Sequence, residues 1–244
     1  MCTVSWFHEE DGYQLFCNRD EKRTRSHAVP PRLLTRDGVY FIAPIDADFG
    51  GTWIGTNEFG ISLCLMNGAN VTGVDGSVVQ SPQTSRGLLL LEWIAASSTV
   101  DLWTRFGSTD LSSFAAFTLV VLEPCQPAGI CEWNGTEKVI LPYGEPYLPL
   151  TSSSFDSVGV RARRRAEYDR LARAVNVNAR TLESFHASHG PGPDAYSTCM
   201  HRPDAETVSF SWIKVTDSDA AFYYTPAAPC QHIPGEVSTL RLRR

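Results

Sequence analysis

The chain has 244 residues, 43% hydrophobic and 20% charged, a balance that fits a globular protein and excludes disordered, collagenous and coiled-coil architectures. With 21 basic and 27 acidic side chains its formal net charge is -6, which argues against a general role on nucleic acid or an anionic membrane. Its seven cysteines are odd in number and lack a repeated Cys-x-x-Cys spacing, so neither a closed disulfide framework nor a zinc ribbon is expected, a reduced compartment fits better, and at least one thiol is free.

Residues 2–7 and 12–18 are short segments rich in β-branched and aromatic side chains, joined by Glu9-Glu10-Asp11-Gly12, whose Asp-Gly pair favours a hairpin turn. The run Arg19-Asp20-Glu21-Lys22-Arg23 closes the second strand. Further strands are expected at 39–43, 52–57 and 61–67, with Glu58-Phe59-Gly60 turning between the last two. A helix follows over 85–96, where Leu88, Leu91 and Ala95, and Leu89, Trp93 and Ala96, recur at three- and four-residue spacing; a shorter one is expected over 99–106. Strand pattern resumes at 114–122, 129–133 and 138–141, and Thr151-Ser152-Ser153-Ser154 leads out of another strand. The strongest helix, about 158–175, is rich in alanine, leucine and arginine. A second at 181–188 is ended by Gly190-Pro191-Gly192-Pro193, and two strands, 207–215 and 220–224, precede a proline-rich tail. Without repeats or a linker, residues 1–244 read as one domain. Many antiparallel hairpins with helices in two blocks suggest an α+β fold; in a four-layer αββα sandwich the two sheets face each other and helices cover both outer faces.

The N-terminus carries no basic segment followed by a long apolar one, and no later apolar run approaches about 18 residues, so a soluble, intracellular (cytoplasmic) protein without an integral membrane segment is expected. Cys2 also excludes N-myristoylation, which needs glycine there.

Cys2 is the most informative residue. Initiator methionine is removed before small side chains, and removal here leaves a thiol and a free α-amine on one residue. An α-amine with a pKa of about 7.7–8.0 takes the proton of a thiol of pKa about 8.5 near neutral pH, so nucleophile and base coincide. A hairpin starting at residue 2 returns Asn18-Arg19-Asp20-Glu21 to that terminus. An arginine there favours a thiolate and a carboxylate orients the amine.

Cys2, the Asn18-Arg19-Asp20-Glu21 run, Ala43-Pro44-Ile45-Asp46, the segment from Gly50-Gly51-Thr52-Trp53 to Asn57, and Gly60 before Asn67 together resemble the NRDE family, whose animal member is known as transport and Golgi organisation protein 2. The resemblance is strong through Asn67 and rests on the order of elements beyond it. It implies the αββα fold of N-terminal nucleophile hydrolases, nearest the cysteine branch with choloylglycine hydrolase and penicillin V acylase, which cleaves non-peptide carbon–nitrogen amide bonds. By that resemblance Cys2 is the nucleophile, Arg19 is the arginine ending the second strand, and Asp20 or Glu21 supports the amine. The hydrolases' spacing of arginine and aspartate would instead reach Lys22. In a regular strand Arg19 and Glu21 share a face and Asp20 points away; a bend reverses that choice. Asn67 resembles an oxyanion donor, a second asparagine donor falls where this chain has Ser152 to Ser154, and Arg202 corresponds to a late arginine.

The resemblance implies two functions. One is amide hydrolysis: the Cys2 amine accepts the thiol proton, sulfur attacks the carbonyl, and Asn67 with a backbone amide holds the oxyanion. The other is a non-catalytic binding or trafficking protein, since family members are linked to secretory-pathway organisation, haem movement and acyl-CoA or lipid homeostasis. The partner is then a small-molecule amide, acyl or haem-like ligand. No cofactor is expected for the hydrolase; haem belongs only to the second reading, and none of the six histidines stands out as an axial ligand.

Other features read as structural. Gly50-Gly51-Thr52-Trp53 turns into a strand and lacks the lysine of a phosphate loop. Arg161, Arg163, Arg164, Arg165, Arg170 and Arg173 read as a solvated helix face. His186, His189, Cys199 and His201, without a supporting Cys-x-x-Cys, read as surface or packing residues rather than a metal site, and Gly-x-Ser-x-Gly is absent.

Overall fold

The N-terminal hairpin forms as the alternation of its side chains requires. In a computed structural model that describes residues 2–68 and 84–243, β1 (Cys2–Glu9) and β2 (Gly12–Lys22) pair antiparallel, with Cys2 opposite Arg19 and Glu9 opposite Gly12. The turn is therefore Glu10-Asp11 rather than Asp11-Gly12. Gly12 has a different reason to be glycine: a Cβ there would lie 2.0 Å from the Val215 carbonyl oxygen, because the neighbouring strand's backbone passes against it.

Seven strands form one sheet in chain order: β3 (Val29–Arg36), β4 (Val39–Ile45), β5 (Ile54–Asn57), β6 (Ser62–Asn67), β7 (Phe117–Leu122), β8 (Gly129–Trp133) and β9 (Lys138–Leu141). The other sheet has six, adding β10 (Leu150–Ser152), β11 (Ala205–Val215), β12 (Asp219–Thr225) and β13 (Glu236–Arg241) to the hairpin, in the order β10-β1-β2-β11-β12-β13. Val4, Trp6, Leu15 and Cys17 from the six-stranded sheet pack with Ile42, Ile54, Cys64 and Val120 from the seven-stranded one. The outer face of the seven-stranded sheet, with Leu63, Leu65, Leu119 and Val121, is covered by α1 (Arg86–Trp93) and α2 (Thr99–Ser108) through Leu90, Trp93, Leu102 and Phe106. That sheet is buried on both faces, which is why β5 and β6 read as unbroken buried runs instead of alternating ones. α3 (Ser157–Tyr168) and α4 (Ala179–His186) cover the outer face of the six-stranded sheet. The result is the αββα sandwich.

Three strands depart from the sequence expectation: β3 and β13 had none, and β10 was anticipated only by the polar segment leading out of it. All three are sheet edges. Pro30 and Pro31 weaken the strand pattern in β3, yet an edge tolerates missing donors, and the β3–β4 register shifts there between Val29 and Arg32. The expected helix over 158–175 is α3 followed by a π-helical turn, Asp169–Arg173, and its arginine face is not wholly solvated. Arg164 is 1% exposed. Among the described residues no helix is long and apolar enough to cross a membrane.

His186, at the end of α4, is buried beneath the hairpin. Its Nε2 lies 2.8 Å from Ser5 Oγ and its Nδ1 3.1 Å from Asn18 Oδ1, so a neutral ring that donates from Nδ1 satisfies both partners. Burial, with the nearby Arg164 charge, lowers its pKa from 6.5 to about 3. Because the unfolded chain takes up this proton below pH 6.5 and the folded chain does not, stability is lost on acidification, by about 1.4 kcal/mol per pH unit between about 6 and 4. Urea midpoints of His186→Gln are expected to fall less steeply over that range than those of the parent.

Candidate active site

Cys2 opens β1 between two neighbours, opposite Arg19 on β2 and opposite Ser152 on β10. Residues directly across an antiparallel pair present their side chains on one face. Cys2 is 6% exposed, and its backbone nitrogen donates to Ser152 Oγ at 3.0 Å. With Arg19, Glu21, Asp46, Trp53, Asn67 and Arg86 it lines a cavity of about 370 Å³. The Cys2 thiol is raised well above its ordinary pKa, first by its contact with Cys17 and then by burial, so it rests protonated and needs a base to become a nucleophile.

Arg19 is held by others on that face. Its guanidinium lies 4.1 Å from the centre of the Trp53 ring and donates to Asp46 Oδ2 at 2.5 Å, and the same carboxylate oxygen receives Arg25 at 2.5 Å. Glu21 stands at the margin of this cluster, 3.9 Å from Arg19 and 3.8 Å from Arg25. β2 runs through Lys22, but its register with β11 shifts beside Arg19 and Asp20; Asp20 borders the Cys2 cavity, and its carboxylate receives Arg164 Nη1 at 3.1 Å and Thr207 Oγ1 at 2.7 Å. Arg164 Nη1 also donates to Thr3 Oγ1. Of the two carboxylates, Glu21 shares the side of Arg19, while Asp20 ties the hairpin to the helix layer.

Asn67 ends β6 and is exposed; it makes no side-chain hydrogen bond among the described residues. It lines both the Cys2 cavity and an adjoining cleft of about 1080 Å³. Ser152, Ser153 and Ser154 line that cleft, as do Arg86, Arg161, Arg165 and Arg202. Arg202 is paired with Asp204 at 2.9 and 2.7 Å and lies outside the lining of the Cys2 cavity. Cys2, Arg19, Asp20, Glu21 and Asn67 thus all line one cavity, and Arg202 faces the larger cleft.

Sequence reasoning assigned no role to Asp46, Trp53 or Arg86. Asp46 stood in the quoted Ala43-Pro44-Ile45-Asp46 segment, and two arginines at 19 and 25 without enough nearby acid were the signal for it. Arg86 reaches the cavity because α1 starts there: a Cβ on Gly51 would lie 2.6 Å from the Gly87 carbonyl carbon, so two glycines let the backbones touch. Of the four histidines and cysteines read as packing residues, His186 is buried apart, whereas His189, Cys199 and His201 lie together with Cys230.

Solved structures of similar shape include the N-acylethanolamine-hydrolyzing acid amidase orthologue of Caenorhabditis elegans, with a TM-score of 0.62 at 13% identity over 87% of this chain and 92% of that one. A mutant of the conjugated bile acid hydrolase of Clostridium perfringens superposes with a TM-score of 0.58 at 11% identity over 99% and 92%. Penicillin V acylase of Agrobacterium tumefaciens gives 0.56 at 13% identity over 99% and 86%. These likenesses establish the N-terminal nucleophile hydrolase fold. No curated protein matches the sequence. The sequence profile of Transport and Golgi organisation 2 matches residues 1–184, three-quarters of the chain, and the chain belongs to that family.

Proposed function

We propose that the protein is a cysteine N-terminal nucleophile hydrolase that cleaves a non-peptide carbon–nitrogen amide bond once Met1 is removed. The observation that carries this is the row Arg19, Cys2, Ser152 across three strands, whose Arg19 and Cys2 line a cavity together with Asn67. After Met1 removal the nitrogen that donates to Ser152 Oγ becomes a free α-amine. That hydroxyl, as acceptor, holds the amine in place, and the amine's own lone pair then takes the thiol proton. Sulfur attacks the amide carbonyl, the Asn67 amide donates to the oxyanion, and the ammonium returns the proton to the departing amine. Water, with the amine as base, cleaves the thioester. The cleft arginines Arg86, Arg161, Arg165 and Arg202 suit a substrate that carries an anionic group.

A second reading, a non-catalytic carrier of a haem-like, acyl-CoA or lipid ligand, draws support from one observation. Arg19 is engaged by Asp46 while the Cys2 thiol is held protonated, an arrangement that suits a buried structural thiol in a ligand cleft. Intact-mass measurement followed by brief exposure to a thiol-reactive probe at neutral pH separates the two. The hydrolase gives a chain lacking Met1 and rapid labelling at Cys2; a chain that keeps Met1 rules it out.

A further inference from the structure

Away from this cavity, the loop between α4 and β11 and the short turn Pro229–Gln231 after β12 bring His189, Cys199, His201 and Cys230 together, with one nitrogen or sulfur atom from each all within 4.8 Å of one another. Nε2 of His201 lies 3.1 Å from Nε2 of His189, 3.7 Å from Sγ of Cys199 and 3.5 Å from Sγ of Cys230. A ring nitrogen carries one proton or one lone pair, so one strong hydrogen bond accounts for only one of these approaches and the others are ordinary contacts. Shared coordination accounts for all three. With Zn–S bonds of about 2.3 Å and Zn–N bonds of about 2.0–2.1 Å, a tetrahedron separates two nitrogens by about 3.3 Å and a sulfur from a nitrogen by about 3.6 Å.

We propose that His189, Cys199, His201 and Cys230 form a Cys2His2 site for a zinc ion. Two thiolates and two neutral imidazoles are the donor set zinc prefers, and four protein ligands close the sphere, which makes the site structural rather than hydrolytic. The chemistry balances with no further reactant: the two thiols lose two protons to solvent as the ion binds, and the ion's positive charge stabilises the thiolates that form.

The ion has a mechanical task. Between α4 and β11 the chain has no regular helix or strand, and it is seated on the hairpin by Asn18 Nδ2 donating to the Thr198 carbonyl at 2.9 Å and by Thr207 Oγ1, which accepts from Met200 N at 2.8 Å and donates to Asp20 at 2.7 Å. Two of the ligands, Cys199 and His201, flank Met200, and the next residue, Arg202, faces the large cleft. Zinc would pin this loop to the turn at Cys230 and so position Arg202. The proposal does not depend on Cys2 being a nucleophile.

Elemental analysis of the full chain, purified under reducing conditions without chelator, is expected to find about one zinc per chain. Cobalt(II) exchanged into the site should give the intense visible bands of a tetrahedral centre with near-ultraviolet thiolate charge transfer. Cys230→Ser is expected to retain at least about tenfold less zinc than the parent, whereas Cys125→Ser, at an exposed thiol, keeps the parent content. If Cys230→Ser does not fold, the metal content and cobalt spectrum of the parent still decide. Folded parent protein with both thiols reduced that takes up no zinc or cobalt overturns the proposal, as does a Cys199–Cys230 disulfide in the reduced preparation.

Discussion

Replacing Arg164 with alanine is expected to destabilise the fold by about 3–5 kcal/mol, read as a lower urea midpoint at unchanged slope. Arg164 is 1% exposed and its partner Asp20 0%. The substitution takes the Arg164 charge away from the buried Asp20 carboxylate and removes the donor to Thr3. Charges taken out of water lose several kcal/mol of hydration each, which only a well-placed opposite charge and hydrogen bonds offset. Arg173, paired with Asp169 at 3.3 Å but 56% exposed, is the control, and its alanine variant is expected to change stability by less than about 1 kcal/mol. The double variant Asp20→Asn with Arg164→Met should recover part of the loss, because it removes both charges together. An Arg164→Ala penalty no larger than that of Arg173→Ala would mean that Asp20 is satisfied without Arg164, and that the helix layer is not tied to the hairpin through this pair.

That pair shows where sequence reasoning stops. In a regular β2 the period of two puts Arg19 and Glu21 on one face and Asp20 on the other, a bend reverses this, and the sequence left the choice of carboxylate open. What Asp20 would meet was not legible, because Arg164 lies far along the chain in a helix whose many arginines look alike, and only packing selects the one that turns inward. Three edge strands were obscured for a related reason, although the edge strand β9 was expected: β3, β10 and β13 are covered on fewer sides, so little burial marks their sequences, and Pro30 and Pro31 argue locally against a strand that an edge tolerates. Central strands and helix positions were legible through hydrophobic runs and three- and four-residue spacing, whereas the αββα layer order came with the family resemblance. The candidate site divided in the same way. Cys2, Arg19 and Asn67 lie on elements that the hairpin and the run before Asn67 define locally, whereas Asp46, Arg86 and the cluster at Cys230 depend on contacts between distant segments. His186 was grouped with His189 because three-residue spacing shares a helix face, yet α4 ends at His186, and His189 belongs to the loop beyond.

Substituting Cys2 is the experiment with the largest expected effect. If Cys2 is the nucleophile, Cys2→Ala is expected to lower amidase activity by about four orders of magnitude or more, as removing a nucleophile does in other hydrolases. The parent rate should rise with pH through about 7.7–8.0, because the α-amine serves as base only when unprotonated. A chain that retains Met1 should be as inactive as Cys2→Ala, since the same nitrogen is then an amide and has no proton affinity at these pH values. Asn67→Ala isolates a different part of the reaction: donation to the oxyanion strengthens only as charge develops, so kcat is expected to fall by about 10²–10³ with KM little changed. A parallel rise in KM would instead identify Asn67 as a ground-state binding contact. The carrier reading makes the opposite prediction for Cys2. Ligand affinity in the cleft would survive Cys2→Ala, because the Arg86, Arg161, Arg165 and Arg202 lining that would hold an anionic group is untouched, and no amide would be hydrolysed by parent or variant. Measuring turnover and ligand affinity on the same pair of proteins therefore decides whether the thiol at the head of β1 reacts, or only helps close the cavity it lines.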